Sequence, residues 1–301
     1  MPEAVNECPS EPPSRRSCLS VPATSESKLH KAAGLATDEV VIDLEDSVAA
    51  SHKEDGLAGA LAALSWWPAS GPRVSVRVNP PRTSWCHLEL AALAAAPGPL
   101  QAVVVPKVED AGDIAFVERL LDGAETANGR HVTLRIQALI ETACGLAKVG
   151  EIARSSSRLT SLILGYADLA ASLGRPTSGT ADLNLWLPAQ DTVLIAARAN
   201  DLQAIDGPFL RIDATDAFRA AASRARDLGF DVKWAIHPAQ LDELNQLFTP
   251  SDEQIAHALA VLKRLASSEA HAGAGAVSLD GEMIDEAVRR SAMRLLARAR
   301  R

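Results

Sequence analysis

Short apolar segments alternate with helix-patterned segments eight times between residues 17 and 248, and this alternation restricts the possible folds most strongly. Examples are VVIDL at residues 40–44 and RVSVRV at residues 73–78, each followed by apolar side chains at helical spacing. Eight strand–helix units are the number that closes a parallel barrel. A doubly wound sheet would alternate in the same way, but no glycine-rich phosphate-binding turn follows the first strand. The sequence therefore predicts an α/β protein with a (β/α)₈ barrel, also called a TIM barrel.

The predicted barrel accounts for residues 15–250, and the flanking segments have a different character. Residues 1–14 contain four prolines and few apolar residues, so we expect a disordered N-terminus. In residues 251–301, Ser251 and Gln254 form the pattern of a capping box, and residues 279–282 predict a tight turn. Residues 266–276 are rich in serine, alanine and glycine, and we interpret them as a hinge. The sequence thus predicts a C-terminal helical lid over its own barrel mouth or that of a neighbouring subunit.

Composition excludes several classes of function. The net charge is −8, and no run of lysine and arginine is interleaved with aromatic residues, so a nucleic-acid groove is not indicated. No apolar stretch approaches the roughly 20 residues of a membrane-spanning helix, and the N-terminus lacks the apolar core of a signal peptide. The four cysteines have no metal-ligand spacing and predict free thiols. We therefore expect a cytoplasmic enzyme or binding protein.

Polar residues follow the ends of the predicted strands, which in a barrel of this kind meet at the face where chemistry is done. They are Glu45, Asp46, Arg77, Asn79, Lys107, Glu141, Asp168, Asp206 and His237. Glu141 and Asp168 end two successive strands, so we expect their carboxylates side by side although they are far apart in the sequence. Oxygen ligands with no cysteine or histidine beside them suit Mg²⁺. After Asp168 the periodicity weakens, and residues 174–183 predict a long loop.

Ten short motifs, spread in order over most of the chain, carry a family resemblance. They are RSxLxVP at 16–22, IDLEDSV at 42–48, VRVN at 76–79, PKVE at 106–109, IETA at 140–143, GYADL at 165–169, AARA at 196–199, ID at 205–206, IHPxQ at 236–240 and GxMID at 281–285. Each motif is weak alone, but the ordered set resembles the citrate lyase β-subunit-like branch of the HpcH/HpaI aldolase superfamily. That branch includes malyl-CoA and citramalyl-CoA lyases.

The resemblance implies a carbon–carbon lyase on a TIM-like barrel. Its substrate would be a β-hydroxyacyl-CoA, such as citryl-, malyl- or citramalyl-CoA, which is cleaved into an acyl-CoA and a 2-oxo acid or formed from them. The resemblance also implies a homo-oligomer, a trimer or hexamer, and Mg²⁺ held at Glu141 and Asp168. An essential arginine is implied at Arg77 and a catalytic aspartate at Asp285, which in the family comes from the C-terminal segment of a neighbouring subunit.

This hypothesis assigns a role to each residue at the predicted barrel mouth. Arg77 would bind a carboxylate or the developing enolate, because its planar guanidinium is permanently charged. Asp285 would move the proton at the thioester carbon. Glu45 and Asp46 would orient Arg77 or the waters around the metal ion. Contacts to substrate are predicted at Arg77, Lys107, Gly165 and Ala167.

Each of these residues also has a structural interpretation. Glu141, Asp168 and Asp285 could be N-caps of the helices that follow them. Arg77 could form a salt bridge with Glu45 inside the barrel, with or without a role in binding substrate.

The chain departs from the family pattern in two places. Ala23-Thr24 follow the first strand where the family usually has glycine and a small polar residue, and Asp55-Gly56 follow Lys53 where it often has Ala-Arg. Both departures fall where contacts to a nucleotide-like tail are expected, so CoA binding is the part of the resemblance that these residues do not support.

Other functions on the same barrel remain open. One is a Mg²⁺-dependent acyl-CoA thioesterase or a pyruvate-type aldolase, and another is a non-catalytic subunit that works only within a multi-subunit citrate lyase complex. A lone lysine at a strand end occurs in Schiff-base aldolases, although we interpret Lys107 as a structural residue or an anion contact. His237 is interpreted as a packed or loop-anchoring residue rather than a metal ligand.

Overall fold

Eight parallel strands close into a barrel in chain order, and β8 pairs with β1. The computed structural model describes residues 15–176, 183–212, 215–272 and 276–299. The strands are β1 (Ser17–Pro22), β2 (Glu39–Asp43), β3 (Arg73–Arg77), β4 (Leu100–Val105), β5 (Arg135–Ile140), β6 (Leu159–Leu164), β7 (Gln203–Asp206) and β8 (Val232–Ala235). The (β/α)₈ barrel predicted from the alternating pattern is therefore confirmed.

Helices follow the strands around the outside of the barrel. They are α1 (Glu26–Ala33), α2 (Lys53–Trp66), α3 (Cys86–Ala95), α4 (Ala111–Ala127), α5 (Ala143–Ala147), α6 (Val149–Ala153), α7 (Tyr166–Ser172), α8 (Leu187–Arg198), α9 (Asp216–Leu228) and α10 (Leu241–Leu247). Helix α9 ends, as predicted, at Gly229, whose φ of 108° lies in the left-handed region that favours glycine.

One prediction for the segment around Glu141 and Asp168 is corrected, and most of the loop predicted at residues 174–183 lies outside the described residues. The single crossover helix predicted after Glu141 is two short helices, α5 and α6, separated at Lys148. The chain after β6 forms the helix α7, which periodicity did not predict. Seven residues complete fewer than two helical turns, so an apolar stripe cannot be recognised in so short a segment.

The strands are buried on both faces. The outer face contributes side chains such as Val40, Ile42 and Val103 to a core shared with the helices. The inner face, formed by alternate residues, has three kinds of side chain. Nearest the strand starts it is polar (Glu39, Ser75, Gln137 and Ser161), in the middle it is apolar (Val41, Val104, Leu139, Ile163 and Trp234), and at the strand ends it is charged (Asp43, Arg77 and Glu141).

The polar side chains near the strand starts satisfy one another. Gln137 Nε2 donates to Glu39 Oε1 at 2.6 Å and to Ser75 Oγ at 3.1 Å, and Ser161 Oγ donates to Gln137 Oε1 at 3.1 Å. Buried polar groups that bond to each other avoid the cost of losing water. The barrel is thus plugged at this end, and its charged end is the one that can receive a ligand.

Residues from Thr249 onward belong to a second compact unit, separate from the unit Arg16–Phe248. The unit contains α11 (Asp252–Ala272), β9 (Val277–Leu279), β10 (Glu282–Ile284) and α12 (Glu286–Ala299). The predicted capping box is present, because Ser251 N donates to Gln254 Oε1 at 2.9 Å and Gln254 N donates to Ser251 Oγ at 3.2 Å. The predicted tight turn joins β9 and β10, where Asp280 and Gly281 both have positive φ.

The hinge predicted at residues 266–276 is wrong for most of its length. Helix α11 continues through Ala272, because alanine favours helix and the first glycine comes only after that residue. The predicted disordered N-terminus, residues 1–14, lies outside the described residues. Among the helices that are described, none combines the length and apolar character needed to cross a membrane.

Candidate active site

Arg77, at the end of β3, is the centre of the charged face of the barrel. Its Nε donates to Asp43 Oδ1 at 2.6 Å and its Nη2 donates to Asp43 Oδ2 at 2.7 Å. Its Nη1 lies 2.8 Å from Glu45 Oε2. The strand register places Asp43 directly beside Arg77, so the two-bond pair follows from the pairing of β2 with β3. Arg77 is therefore held in one orientation by two acids.

Arg77, Asp43 and Glu45 form a charged cluster that is largely buried, and burial and charge together change the pKa values of the two acids. Burial raises the pKa of Asp43, but the hydrogen bonds and charge of Arg77 outweigh it and lower the pKa below its usual value. Burial raises the pKa of Glu45 despite the opposing charges of Arg77 and Lys107. Asp43 was not among the predicted site residues. The inward-facing alternation of Glu39, Val41 and Asp43 along β2 is the sequence signal that would have identified it.

Trp234 lies under the guanidinium of Arg77. The indole ring is 3% exposed, and the Cζ atom of Arg77 lies 5.8 Å from its centroid. This distance permits a cation–π contact. Trp234 belongs to β8, across the barrel from β3, so it closes the barrel interior beneath the charged face.

Lys107 links four acids from three different loops. Its backbone N–H donates to Glu141 Oε1 at 3.0 Å, and its Nζ donates to Glu45 Oε1. The same Nζ lies 3.7 Å from Asp46 Oδ1 and 3.8 Å from Asp168 Oδ2. Its backbone has a φ of 51°, which is uncommon for a residue with a side chain. The strained conformation directs both donors of Lys107 at the acids of the site.

This environment argues against Lys107 as a Schiff-base nucleophile, which must be neutral to attack a carbonyl. Burial lowers the pKa of Lys107, but the hydrogen bond to Glu45 and the nearby carboxylates raise it above its usual value. Lys107 therefore stays charged at neutral pH, in agreement with its interpretation as a structural residue or an anion contact.

Glu141 and Asp168 meet at the same face of the barrel, at the ends of β5 and β6. Glu141 is 3% exposed, whereas the side chain of Asp168 is 37% exposed. Neither is an N-cap: Thr142 caps α5 by accepting from Gly145 N at 3.0 Å, and Gly165 occupies the N-cap position of α7. The helix-cap interpretation is therefore excluded for both acids.

The pKa of Glu141 is raised from 4.5 to about 8 by burial and by the charges of Glu45 and Asp168, against the opposing charges of Arg77 and Lys107. The acids thus carry more negative charge than the two basic residues neutralise. A divalent cation placed between Glu141 and Asp168 would relieve this repulsion.

This pKa predicts the pH dependence of stability in protein freed of divalent ions. A raised pKa means that the folded state binds the proton more tightly, so the stabilisation is complete below about pH 4.5 and is lost as the pH rises through 8. We expect the free energy of unfolding to fall by a few kcal/mol over this range, since one pKa unit corresponds to about 1.4 kcal/mol. Urea denaturation at a series of pH values with EDTA measures it.

The matched control is Glu141→Gln, which removes the titrating group and keeps its shape. Glu45 and Glu89 also have raised pKa values and contribute with the same sign, so the pH dependence of this variant should be shallower rather than flat. An equally steep fall in the variant would show that Glu141 is not the group responsible.

A second set of residues supports the loop that carries Glu45. Lys53 Nζ donates to the carbonyl oxygens of Leu44 and Glu45, both at 2.8 Å, and Asn79 Nδ2 donates to Leu44 O at 3.1 Å. Glu89 accepts from the backbone N–H of Asn79 at 2.7 Å. Lys53 is thus a buried support for the strand ends and is not available to a ligand.

The residues at which the chain departs from the family pattern lie close to one another. Ala23, Thr24 and Asp55 line a cleft of about 440 Å³ beside α1 and α2, with Trp66 on its wall. Gly59 lets α2 approach the loop after β1, because a Cβ at this position would lie 2.4 Å from Ala23 O.

The remaining predicted residues have different surroundings. Ala167 is exposed in the first turn of α7. His237 Nδ1 accepts from Ala239 N at 3.2 Å, so it anchors its own loop as predicted. Asp285 belongs to the second compact unit and accepts from Ala287 N at 2.9 Å and Val288 N at 3.2 Å. Asp285 therefore caps α12, whatever further role it has.

The donor set of the site fits Mg²⁺ but leaves part of its coordination open. Within the described ranges, no three His, Cys, Asp or Glu side chains converge closely enough to hold a metal ion by themselves. Two carboxylates with substrate and water oxygens would complete the octahedral shell that Mg²⁺ requires, and Mg²⁺ commonly binds in this way. The fold and this face of the barrel thus define a class: a TIM-barrel protein with an acidic site for a hard divalent cation next to a fixed arginine.

Comparison with known proteins specifies the family. Residues 16–238 match the HpcH/HpaI aldolase/citrate lyase family, and the chain belongs to this family. The L-malyl-CoA/beta-methylmalyl-CoA lyase of Cereibacter sphaeroides is 34% identical over 292 residues, which cover 91% of this chain and 92% of that protein. A (3S)-malyl-CoA thioesterase of the same organism is 36% identical over 289 residues, 94% of each chain. The family expected from the ten motifs is confirmed.

Solved structures agree with this assignment. Protein CitE from Mycobacterium tuberculosis, in complex with magnesium, acetoacetate and coenzyme A, superposes with a TM-score of 0.75 at 30% identity, covering 95% of this chain and 98% of that one. The citrate lyase beta subunit of the same organism, complexed with oxaloacetate and magnesium, has a TM-score of 0.65 at 30% identity, covering 79% and 98%.

Proposed function

We propose that the protein is a Mg²⁺-dependent carbon–carbon lyase that cleaves or forms a β-hydroxyacyl-CoA such as malyl-, citramalyl- or citryl-CoA. The observation that carries the proposal is the pair Glu141 and Asp168 beside Arg77 on the open face of the barrel. Membership of the family and the relatives named as malyl-CoA lyases support it.

Glu141 and Asp168 are the residues that would hold the Mg²⁺ ion. When bound, the ion would supply Lewis-acid stabilisation to the oxygens of the 2-oxo acid. Lys107 would hold the two acidic ligands in place, through its backbone bond to Glu141 and its charge near Asp168.

Cleavage requires removal of the hydroxyl proton, rupture of the C–C bond and protonation of the resulting thioester enolate. Arg77, fixed by Asp43 and Glu45, would present its charge to a substrate carboxylate or to the developing enolate oxygen. Because Asp43 occupies two of its donors, Arg77 need not reorganise during the reaction. Glu45 would act as a positioning group between Arg77 and Lys107, and Asp46 would orient waters at the rim.

Asp285 would transfer the proton at the thioester carbon. It lies in the second compact unit, so we propose that the unit acts as a lid and supplies this residue to the mouth of its own barrel or of a neighbouring copy in a homotrimer or hexamer. We further propose that the protein acts in the cytoplasm.

The test is an assay of the purified chain with malyl-CoA, citramalyl-CoA and citryl-CoA, with Mg²⁺ and with EDTA. A lyase releases a 2-oxo acid, detectable as its phenylhydrazone, without a matching release of free thiol. The proposal requires this product from at least one thioester and its loss with EDTA. Absence of 2-oxo acid from all three substrates would refute it.

A thioesterase is the second candidate, since a relative with this activity is as similar to the chain as the lyase is. A thioesterase releases free CoA, which a thiol reagent detects in the same reaction mixtures. Thiol release that equals or exceeds 2-oxo acid release would favour this candidate.

Gly165 supplies a further prediction for this activity. A Cβ at residue 165 would lie 2.6 Å from Glu141 Oε2 and 2.7 Å from Glu141 Cβ, so Gly165→Ala must displace the carboxylate. We expect about a 100-fold lower kcat/KM, the effect of displacing a catalytic group by about 1 Å.

The matched control for Gly165→Ala is Gly150→Ala, because a Cβ at residue 150 meets nothing within 4 Å. This variant should keep full activity. Equal activity in both variants would show that the contact of Gly165 with Glu141 has no functional consequence.

A further inference from the structure

A buried group of four side chains lies close to the proposed metal site but outside it. Lys233 Nζ donates to Asp206 Oδ2 and, at 2.8 Å, to Gly207 O. Tyr166 Oη donates to the other oxygen, Asp206 Oδ1, and Gln190 Nε2 donates to Tyr166 Oη at 2.8 Å. Both oxygens of the buried carboxylate are therefore satisfied, one by a side chain of β8 and the other by a side chain of α7. We call Tyr166, Asp206 and Lys233 the β7–β8 anchor.

The anchor lies behind the barrel wall and not in its mouth. Val232 and Trp234 belong to the apolar cluster inside the barrel, so Lys233 between them faces the outer side. Asp206 follows Ile205, which belongs to the same apolar cluster, so Asp206 also faces the outer side. The pairing of β7 with β8 places Asp206 directly beside Lys233. Asp206 is 1% exposed and Lys233 is 2% exposed. A substrate at the barrel mouth has no access to these groups, so they are not catalytic residues.

The anchor is attached to the helix that carries Asp168. Tyr166 is the first residue of α7, and Asp168 lies in the same first turn. This helix has seven residues and no side-chain cap at its start, so little within the helix itself fixes its direction. A Cβ at residue 207 would lie 1.9 Å from Leu164 O, which shows how closely the end of β7 approaches the end of β6.

We propose that the β7–β8 anchor positions Asp168 for binding of the divalent cation, through the Tyr166 hydroxyl group. This inference rests on the proposed function, because it takes Asp168 to be a metal ligand. The ion pair with Lys233 holds the buried Asp206 carboxylate in place. This carboxylate accepts the hydrogen bond of the Tyr166 hydroxyl group, and Tyr166 in turn holds the first turn of α7. Tyr166, Asp206 and Lys233 are thus positioning residues that act on the cation site through the backbone.

The test measures cation affinity directly, with Mn²⁺ as the probe and electron paramagnetic resonance as the readout. Tyr166→Phe removes only the hydroxyl group. We expect about tenfold weaker Mn²⁺ binding, the lower end of what support residues of metal sites contribute. Lyase activity of this variant should be lower at limiting Mg²⁺. It should return at high Mg²⁺, because kcat at saturating ion depends little on the affinity for the ion.

A matched control separates positioning from general stability. Glu125→Gln disrupts another buried ion pair, with Arg158, which lies at the opposite end of β6. This variant should lose stability but bind Mn²⁺ like the unmodified protein. Equal weakening of binding in Tyr166→Phe and Glu125→Gln would overturn the inference.

The outcomes also distinguish this inference from the proposed function. If the unmodified protein binds no Mn²⁺, or if Asp168→Asn binds it equally well, the proposed metal site is wrong. If Asp168→Asn loses binding while Tyr166→Phe keeps full affinity, the metal site stands and the positioning role is wrong.

A measurement without any variant of the anchor is available, because Tyr166 is the one tyrosine of the chain. In protein labelled with ¹³C-tyrosine, Mg²⁺ should shift its single set of ring signals in the unmodified protein but not in Asp168→Asn. Ring signals that stay unchanged at saturating Mg²⁺ would overturn the inference.

Discussion

Replacing Glu141 by glutamine or Asp168 by asparagine is expected to abolish the Mg²⁺-dependent release of a 2-oxo acid while the barrel stays folded. The loss should be on the order of 1,000-fold, because a Lewis-acidic ion supplies several kcal/mol of transition-state stabilisation and about 1.4 kcal/mol corresponds to a factor of ten. Glu141→Gln should also raise the stability of ion-free protein at alkaline pH, since it removes a buried charge whose pKa is about 8.

The measurements are kcat/KM with the best thioester, Mn²⁺ affinity, and urea denaturation of each variant. Asp38→Asn is the matched control, because Asp38 is a partly buried carboxylate that pairs with Arg16 at the opposite end of the barrel. It should leave both activity and ion affinity unchanged. Full activity of Glu141→Gln or Asp168→Asn in the presence of a chelator would contradict the metal assignment.

Arg77→Met is expected to have the largest effect on stability and to abolish activity as well. The variant keeps the aliphatic stem but leaves Asp43, which is 1% exposed, without its cation, and leaves Glu45, which is 3% exposed, with Lys107 alone. Breaking a buried ion pair by removing one partner costs about 3–5 kcal/mol, because the remaining charge loses both water and its counter-ion. Urea denaturation gives the free energy of unfolding, and the 2-oxo acid assay gives the activity.

Two further variants divide this effect into its parts. Arg77→Lys keeps the charge but cannot form the two parallel bonds to Asp43, so it should recover part of the stability and little of the activity. Arg16→Met breaks the partly exposed pair with Asp38 and should cost much less stability and no activity. If Arg77→Met unfolds no more easily than Arg16→Met, the charges around Arg77 are less tightly coupled than their geometry indicates.

The stability change and the activity change need not have the same cause. Arg77 stabilises the fold through Asp43 and Glu45, whereas its proposed role in the reaction requires its charge to face the substrate. A variant such as Asp43→Asn should separate the two, because it weakens the hold on Arg77 while keeping the guanidinium in the site. We expect a higher KM and a lower kcat from a less ordered arginine, with Mg²⁺ affinity unchanged.

The sequence was sufficient to predict the barrel and the end of the barrel at which the candidate site lies. Most strands carry apolar residues on both faces and are followed by a polar residue, so the alternation and the strand ends could be predicted from the sequence. The meeting of Glu141 and Asp168 follows from the same rule, since successive parallel strands bring their ends together. Local signals such as the capping box at Ser251 and the turn at Asp280-Gly281 were also sufficient, because they depend only on neighbouring residues.

Other features required the folded structure. The pairing of Asp43 with Arg77 depends on the register of β2 with β3, and a shift of one residue would turn Arg77 away from the barrel interior. The Tyr166–Asp206–Lys233 anchor joins three separate elements, so no sequence spacing indicates it. The helical form of residues 266–272 was obscured by serine and alanine, which occur in both helices and linkers.

The order of apolar and polar residues along the chain by itself determined the eight strands, the closed barrel and the end at which charged residues gather, because these follow from periodicity and from the direction of parallel strands. Only the tertiary structure decided how that charge is distributed. It placed Arg77 between two buried acids, turned both donors of Lys107 toward the carboxylates and raised the pKa of Glu141 to about 8. The physical reason is that pKa values and ion pairs depend on distances and on the exclusion of water, which exist only after distant segments have packed together.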